Sequence, residues 1–139
     1  MRSHEFPMPE GWFETMQRVN AEVNACDFKD DPPNDDQWGR MLDGTGQDCD
    51  NYAVEKAERL VAAGIPIQRL RLATCYMGAD GGRKQGTGHA VLVVDGPHEQ
   101  YVLSNGLPPM AYPAFVASGW MRDRIQTRGG APEWDKWVA

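Results

Sequence analysis

Two apolar runs joined by a short turn limit the folds open to this chain. Residues 89–94 (His-Ala-Val-Leu-Val-Val) and 100–104 (Gln-Tyr-Val-Leu-Ser) have strand composition, and Asp95-Gly96-Pro97-His98 between them has turn composition. Strands this close in sequence pair antiparallel, because a parallel pair needs a crossover of a dozen or more residues. Residues 70–77 have the same β-branched, aromatic and apolar content and supply a further strand. The sequence upstream offers helices to cover this sheet. The expected class is α+β, with N-terminal helices packed on a small antiparallel sheet.

Two helices are legible. Residues 9–26 carry Trp12, Phe13, Met16, Val19, Asn20 and Val23 on one mostly apolar face, and Pro9 suits a helix start. The second helix opens at Cys49. Tyr52, Ala53, Ala57, Leu60 and Val61 recur at helical spacing, while Glu55, Lys56, Glu58 and Arg59 are expected on the other faces. Gly64 and Pro66 stop it. Between the helices, residues 27–36 form an acidic loop with Pro32-Pro33 that does not match EF-hand spacing, and Trp38, Met41 and Leu42 suggest a helical turn. Residues 78–87 read as a mobile glycine-rich hairpin loop; Lys84 lacks the following Ser or Thr of a phosphate loop. Beyond Gly106, residues 114–117 suggest a helical turn and 120–122 an edge strand, with Trp134 and Trp137 tucking the tail onto the core.

With 139 residues the chain suits a single domain over 1–139 with one modest core. No apolar run is long enough to span a bilayer, and the first residues carry no apolar signal region. This implies a cytoplasmic chain, or a periplasmic one if a leader has been trimmed. A net charge of −6 argues against nucleic-acid and anionic-membrane partners. Three cysteines without CxxC spacing argue against a disulfide framework or structural zinc, and fit a reducing compartment. Cys26 and Cys75 are expected to pack as small apolar residues.

Cys49 is different because of its place. First-turn N–H groups lack intrahelical partners and the helix dipole is positive there, so a thiolate is stabilised below the free thiol pKa of roughly 8.5. The same N–H groups can hold an oxyanion at the carbon the sulfur attacks. Asp48 and Asp50 flank the sulfur and oppose the thiolate unless paired, turned away or bound to a cation. A base is required, and His89, opening its strand, suits better than His4 near the terminus or His98 in the turn. A third group must orient the imidazole. A two-residue Gly96-Pro97 loop sets Ser104 opposite His89, and a three-residue loop sets Asn105 there. The amide oxygen of Asn105 is chemically the better acceptor.

Val23-Asn24, Asp36-Gln37-Trp38, Gly46-x-Asp48-Cys49-Asp50-x-Tyr52-Ala53, Gly64-Ile65-Pro66, Leu70-Arg71-Leu72, His89-x-Val91-Leu92 and Val102-Leu103-x-Asn105 occur in that order. This set resembles the bacterial transglutaminase-like cysteine proteases, a papain-like group that includes periplasmic adhesin-releasing proteases and short phage-encoded members. The resemblance covers about residues 20–110, and the family's short phage-encoded members imply a cytoplasmic or virion-associated role. It implies a protein or peptide substrate, Cys49 as nucleophile and His89 as general base. It also implies an aspartate as third member, where this chain has Ser104 in the run Leu103-Ser104-Asn105. Some members bind calcium through acids beside the nucleophile; Asp48 and Asp50 match those places, and Asn51 replaces a second acid. No other cofactor is implied. The leading expectation is a thiol hydrolase working through an acyl-enzyme. The alternatives are amide cross-linking by the same residues and a catalytically weak member that binds a protein partner.

Overall fold

The structure, a computed structural model, describes residues 6–26, 47–76, 88–104 and 106–138; the side chains of 47–51 and 88 lie outside that description. Helices α1 (Trp12–Asn24) and α2 (Gln47–Ala62) precede β1 (Leu70–Tyr76), β2 (Gly88–Asp95), β3 (Gln100–Leu103) and β4 (Met110–Ala111). Helix α3 (Tyr112–Ala117) and strands β5 (Met121–Gln126) and β6 (Trp134–Lys136) follow. The strands form one antiparallel sheet in the order β4-β3-β2-β1-β5-β6. The α+β expectation holds.

Strand alternation divides the interior in two. Ala90, Leu92 and Val94 face one way and bury against Met16, Val19 and Val23 of α1 and Ala53, Val54, Ala57 and Leu60 of α2. Val91 and Val93 face the other way, into a cluster with Cys75, Val102, Phe115 and Trp137. Helix α2 ends where Gly64 takes φ +103. There Ile65 N–H donates to Leu60 O and Gly64 N–H to Val61 O, both at 3.0 Å, which satisfies the last carbonyls. Leu60 and Ile65 are both buried in the first cluster, so the same turn that ends the helix also packs it.

Several expectations change. Helix α1 begins at Trp12, because Gly11 at φ +78 breaks the helix that Pro9 was expected to open. Lys56 is fully buried and Val61 is 40% exposed, the reverse of the expected faces. Lys56 lies three residues after Ala53 and four before Leu60, inside the apolar stripe, and only its charge pointed outward. Cys75 is buried as expected, but Cys26 is half-buried and its thiol donates to Glu22 O at 3.4 Å. Residues 120–122 were expected to form an edge; instead β5 runs to Gln126 and β6 lies outside it. The charged residues of β5 read as an edge in sequence. Arg122 places its guanidinium over the Tyr112 ring, and the exposed Arg124 places its own over the Trp134 ring, so both charges stack on aromatics flanking the strand. The expectations for residues 27–46 and 78–87 lie outside the described residues.

Candidate active site

Cys49, Asp48 and Asp50 belong to the first turn of α2, as their sequence context predicts; their side chains lie outside the described residues. Asn105 also lies outside them. The two remaining candidates, His89 and Ser104, are brought together.

Strands β2 and β3 pair as Asp95↔Gln100 through Leu92↔Leu103, so four residues loop out at the turn, not two or three. Gly96 N–H donates to Glu99 O at 2.9 Å and closes that loop. The longer turn keeps the even parity of a two-residue loop but shifts the partner. Extending the register sets Ser104 beside Val91, a diagonal neighbour of His89 on the same face. The side chains close the gap: His89 Nε2 and Ser104 Oγ lie 2.8 Å apart, and both residues are about 5% exposed. A hydroxyl both donates and accepts, so it can hold either tautomer of the ring.

On its other side the imidazole meets Trp120 edge-on at 5.4 Å, and Trp120 in turn meets Phe115. These rings belong to the second cluster, on the sheet face turned away from α2. Behind Ser104, a hollow of about 10 Å³ among Val102, Leu107, Met110, Phe115 and Trp120 has room for about one water. The His89–Ser104 bond is therefore shielded from solvent. Burial lowers the imidazole pKa, and the charge of Lys56 lowers it further. The lysine itself is held at about 7 by burial in the core side of α2. Helix α2 thus reaches the electrostatic neighbourhood of the ring even though the ring faces the second cluster.

Asn20 and Asn24 of α1 were not expected at this site. Asn20 Nδ2 donates to Leu107 O at 2.8 Å; Asn24 Nδ2 donates to Leu107 O at 3.2 Å and to Ser104 O at 3.4 Å. The sequence signal was available: two amides four residues apart on a helix share a face, and Asn20 interrupts an apolar one. Among the described residues, neither buried amide oxygen has a hydrogen-bond partner. Stranding such an oxygen costs about 1–3 kcal/mol.

A concavity of about 800 Å³ lies elsewhere, lined by Phe6, Arg69, Arg71, Asp95 and Arg128 among others. It sits at the far end of β2, six residues from His89, or roughly 20 Å along the strand. Two of its arginines are engaged in the fold. Arg71 grips the Asp95 carboxylate at 2.8 and 2.9 Å, and Arg69 Nη1 donates to Asp95 O at 2.6 Å. The reactive groups, not the larger hollow, mark the candidate site.

The family model of the bacterial transglutaminase-like cysteine proteinases (BTLCP) matches residues 2–120. No curated protein sequence matches the chain. Among solved structures, EGTA-treated Legionella pneumophila LapG is similar at 20% identity and TM-score 0.59, over 91% of this chain and 68% of that one. A second Legionella pneumophila LapG chain has 22% identity and TM-score 0.57, over 81% and 62%. Calcium-bound LapG from the same organism has 21% identity and TM-score 0.55, over 86% and 72%. This chain therefore spans about two thirds of the length of those proteins. The fold is transglutaminase-like. The expected cytoplasmic or virion location is corrected: LapG is a periplasmic protease. A folded domain's chemistry does not encode its compartment, and an N-terminus without an apolar run was too little to infer one. Among the described residues, no three His, Cys, Asp or Glu side chains cluster to hold a metal.

Proposed function

Because the chain belongs to the bacterial transglutaminase-like cysteine proteinase family, a family of cysteine peptidases, we propose that Cys49 and His89 cleave a peptide or amide bond of a protein substrate. The observation that carries this reading is the buried 2.8 Å contact between His89 Nε2 and Ser104 Oγ. With Ser104 accepting from Nε2–H, Nδ1 is left as the basic nitrogen. The imidazole takes the thiol proton, the Cys49 sulfur bonds to the scissile carbonyl carbon, and the first-turn N–H groups of α2 hold the oxyanion. Collapse of that adduct expels the amine, which takes the proton back from the ring and leaves an acyl-enzyme. Water then gives a proton to the ring and adds to the acyl carbon; the carbon–sulfur bond breaks, the acid leaves, and the proton returns to the sulfur.

Ser104 favours one variant of this reading. A neutral hydroxyl orients the ring but does not stabilise imidazolium as a carboxylate would, so a slower enzyme, or a binding module with residual reactivity, fits that substitution. Asn105 is the other candidate orienter. Iodoacetamide followed by mass spectrometry tests the central claim. Cys49 is expected to alkylate at least about tenfold faster than Cys26 or Cys75 at pH 7, and His89→Ala is expected to remove the difference. Equal, slow labelling of all three thiols would dismiss the hydrolase reading.

Calcium is the candidate cation. Asp48 and Asp50 supply the hard oxygen donors it prefers, and a divalent charge there would offset their repulsion of the thiolate. Two carboxylates are only part of its usual shell of six to eight oxygens. Adding calcium to EGTA-treated protein is expected to raise the melting temperature and to speed Cys49 alkylation. Asp48→Asn combined with Asp50→Asn should abolish both responses. Identical melting curves with calcium and with EGTA would exclude the cation.

A further inference from the structure

Ser104 lies one residue beyond the last paired position of β3, since the ladder with β2 ends at Leu92↔Leu103. The ladder therefore does not hold its backbone. The turn that follows is closed by Leu107 N–H donating to Ser104 O at 3.3 Å, with Gly106 at φ +82. Helix α1 also holds this turn, through side-chain hydrogen bonds. Asn20 and Asn24 place three amide contacts on the carbonyls of Ser104 and Leu107, from 80 to 87 residues away in sequence. Asn20 is 2% exposed, and each side chain leaves a buried oxygen without a partner among the described residues. An apolar residue at either place would pack α1 without stranding an oxygen. What only the amide supplies is the donor, and both amides spend it on the same turn.

We infer that Asn20 and Asn24 are positioning residues for the His89–Ser104 pair, fixing the turn whose first residue presents its hydroxyl to the imidazole. A hydrogen bond of 2.8 Å tolerates displacement of only about half an ångström, so a turn free to shift would release the ring. The inference rests on the reading of His89 as the base in the proposed reaction.

Protein labelled with 15N-histidine reads this directly. Ser104→Ala defines the His89 spectrum with the hydroxyl lost. Asn20→Leu and Asn24→Leu are expected to move the His89 ring resonances toward that spectrum and to slow iodoacetamide alkylation of Cys49 by roughly tenfold. In the Ser104→Ala background the same changes should have no further effect, since residues acting through one contact are not additive. Asn24→Asp keeps the shape but, ionised, donates nothing, and should act like the leucine variant; it serves if that variant fails to fold. Unchanged His89 resonances, or shifts that add to those of Ser104→Ala, would overturn the inference. If Cys49 labels no faster than Cys26 and Cys75, the hydrolase reading fails, while the His89 spectrum still decides the role of the two amides.

Discussion

In urea unfolding, Lys56→Met is expected to be more stable than the parent at pH 7 and to lose most of the parent's gain in stability toward alkaline pH. The ammonium of Lys56 is fully buried, and burial lowers its pKa from 10.5 to about 7. The unfolded chain binds this proton more tightly than the folded one, so stability rises with pH through the interval between the two values. The folded state carries its full cost below about pH 7 and is relieved of it as pH approaches 10.5. At about 1.4 kcal/mol per unit, the whole interval is worth roughly 5 kcal/mol, of which about 3 kcal/mol falls between pH 7 and 9.5. Methionine is apolar, flexible and of similar length, so it fills the space without the charge. A parent curve flat over that range would refute the prediction. The same variant removes one of two causes that depress the His89 imidazole, and the ring should move part of the way back toward its ordinary value. Burial is the larger cause and remains.

The second large effect is expected at Gly129. A Cβ there would meet Ile67 O at 1.7 Å, Leu70 O at 2.4 Å and Ile67 C at 2.7 Å, all backbone atoms that cannot swing aside. The loop is pinned against them. Thr127 N–H donates to Glu133 O at 3.1 Å, and Gln126, fully buried, donates to Ala131 O at 2.9 Å while accepting from Leu72 N–H at 2.8 Å. Gly129→Ala must push the loop off the start of β1 and break part of that set. A loss of at least about 3 kcal/mol is expected, or roughly 10 °C in melting temperature. Gly119→Ala is the control. Gly119 has φ +85 but nothing within 4 Å of its Cβ position, so its cost is confined to backbone strain of about 1–2 kcal/mol. Equal losses at the two glycines would show that the contact at Gly129 is not the cause.

Much of this protein was written locally. The hairpin of β2 and β3, the amphipathic α2 with its Gly64 stop, and the candidacy of Cys49 and His89 all follow from neighbouring residues. Period, turn chemistry and helix-end electrostatics act over a few positions and leave their marks in order. Other features could not be read that way. The four-residue turn that sets Ser104 diagonal to His89 depends on how two strands settle against a core, and a shift of one residue would have turned Ser104 to the other face. Lys56 lies in the core because α2 packs on the sheet along the very stripe it occupies, a cost no local rule anticipates. The amides of Asn20 and Asn24 reach the Ser104–Leu107 turn only once α1 is packed, and β5 is an inner strand because the C-terminal β6 pairs along its outer side. By itself the sequence nominated the side chains that could carry chemistry, since that candidacy is a property of residue type and local backbone. Which of them touch was left to packing between segments far apart in the chain.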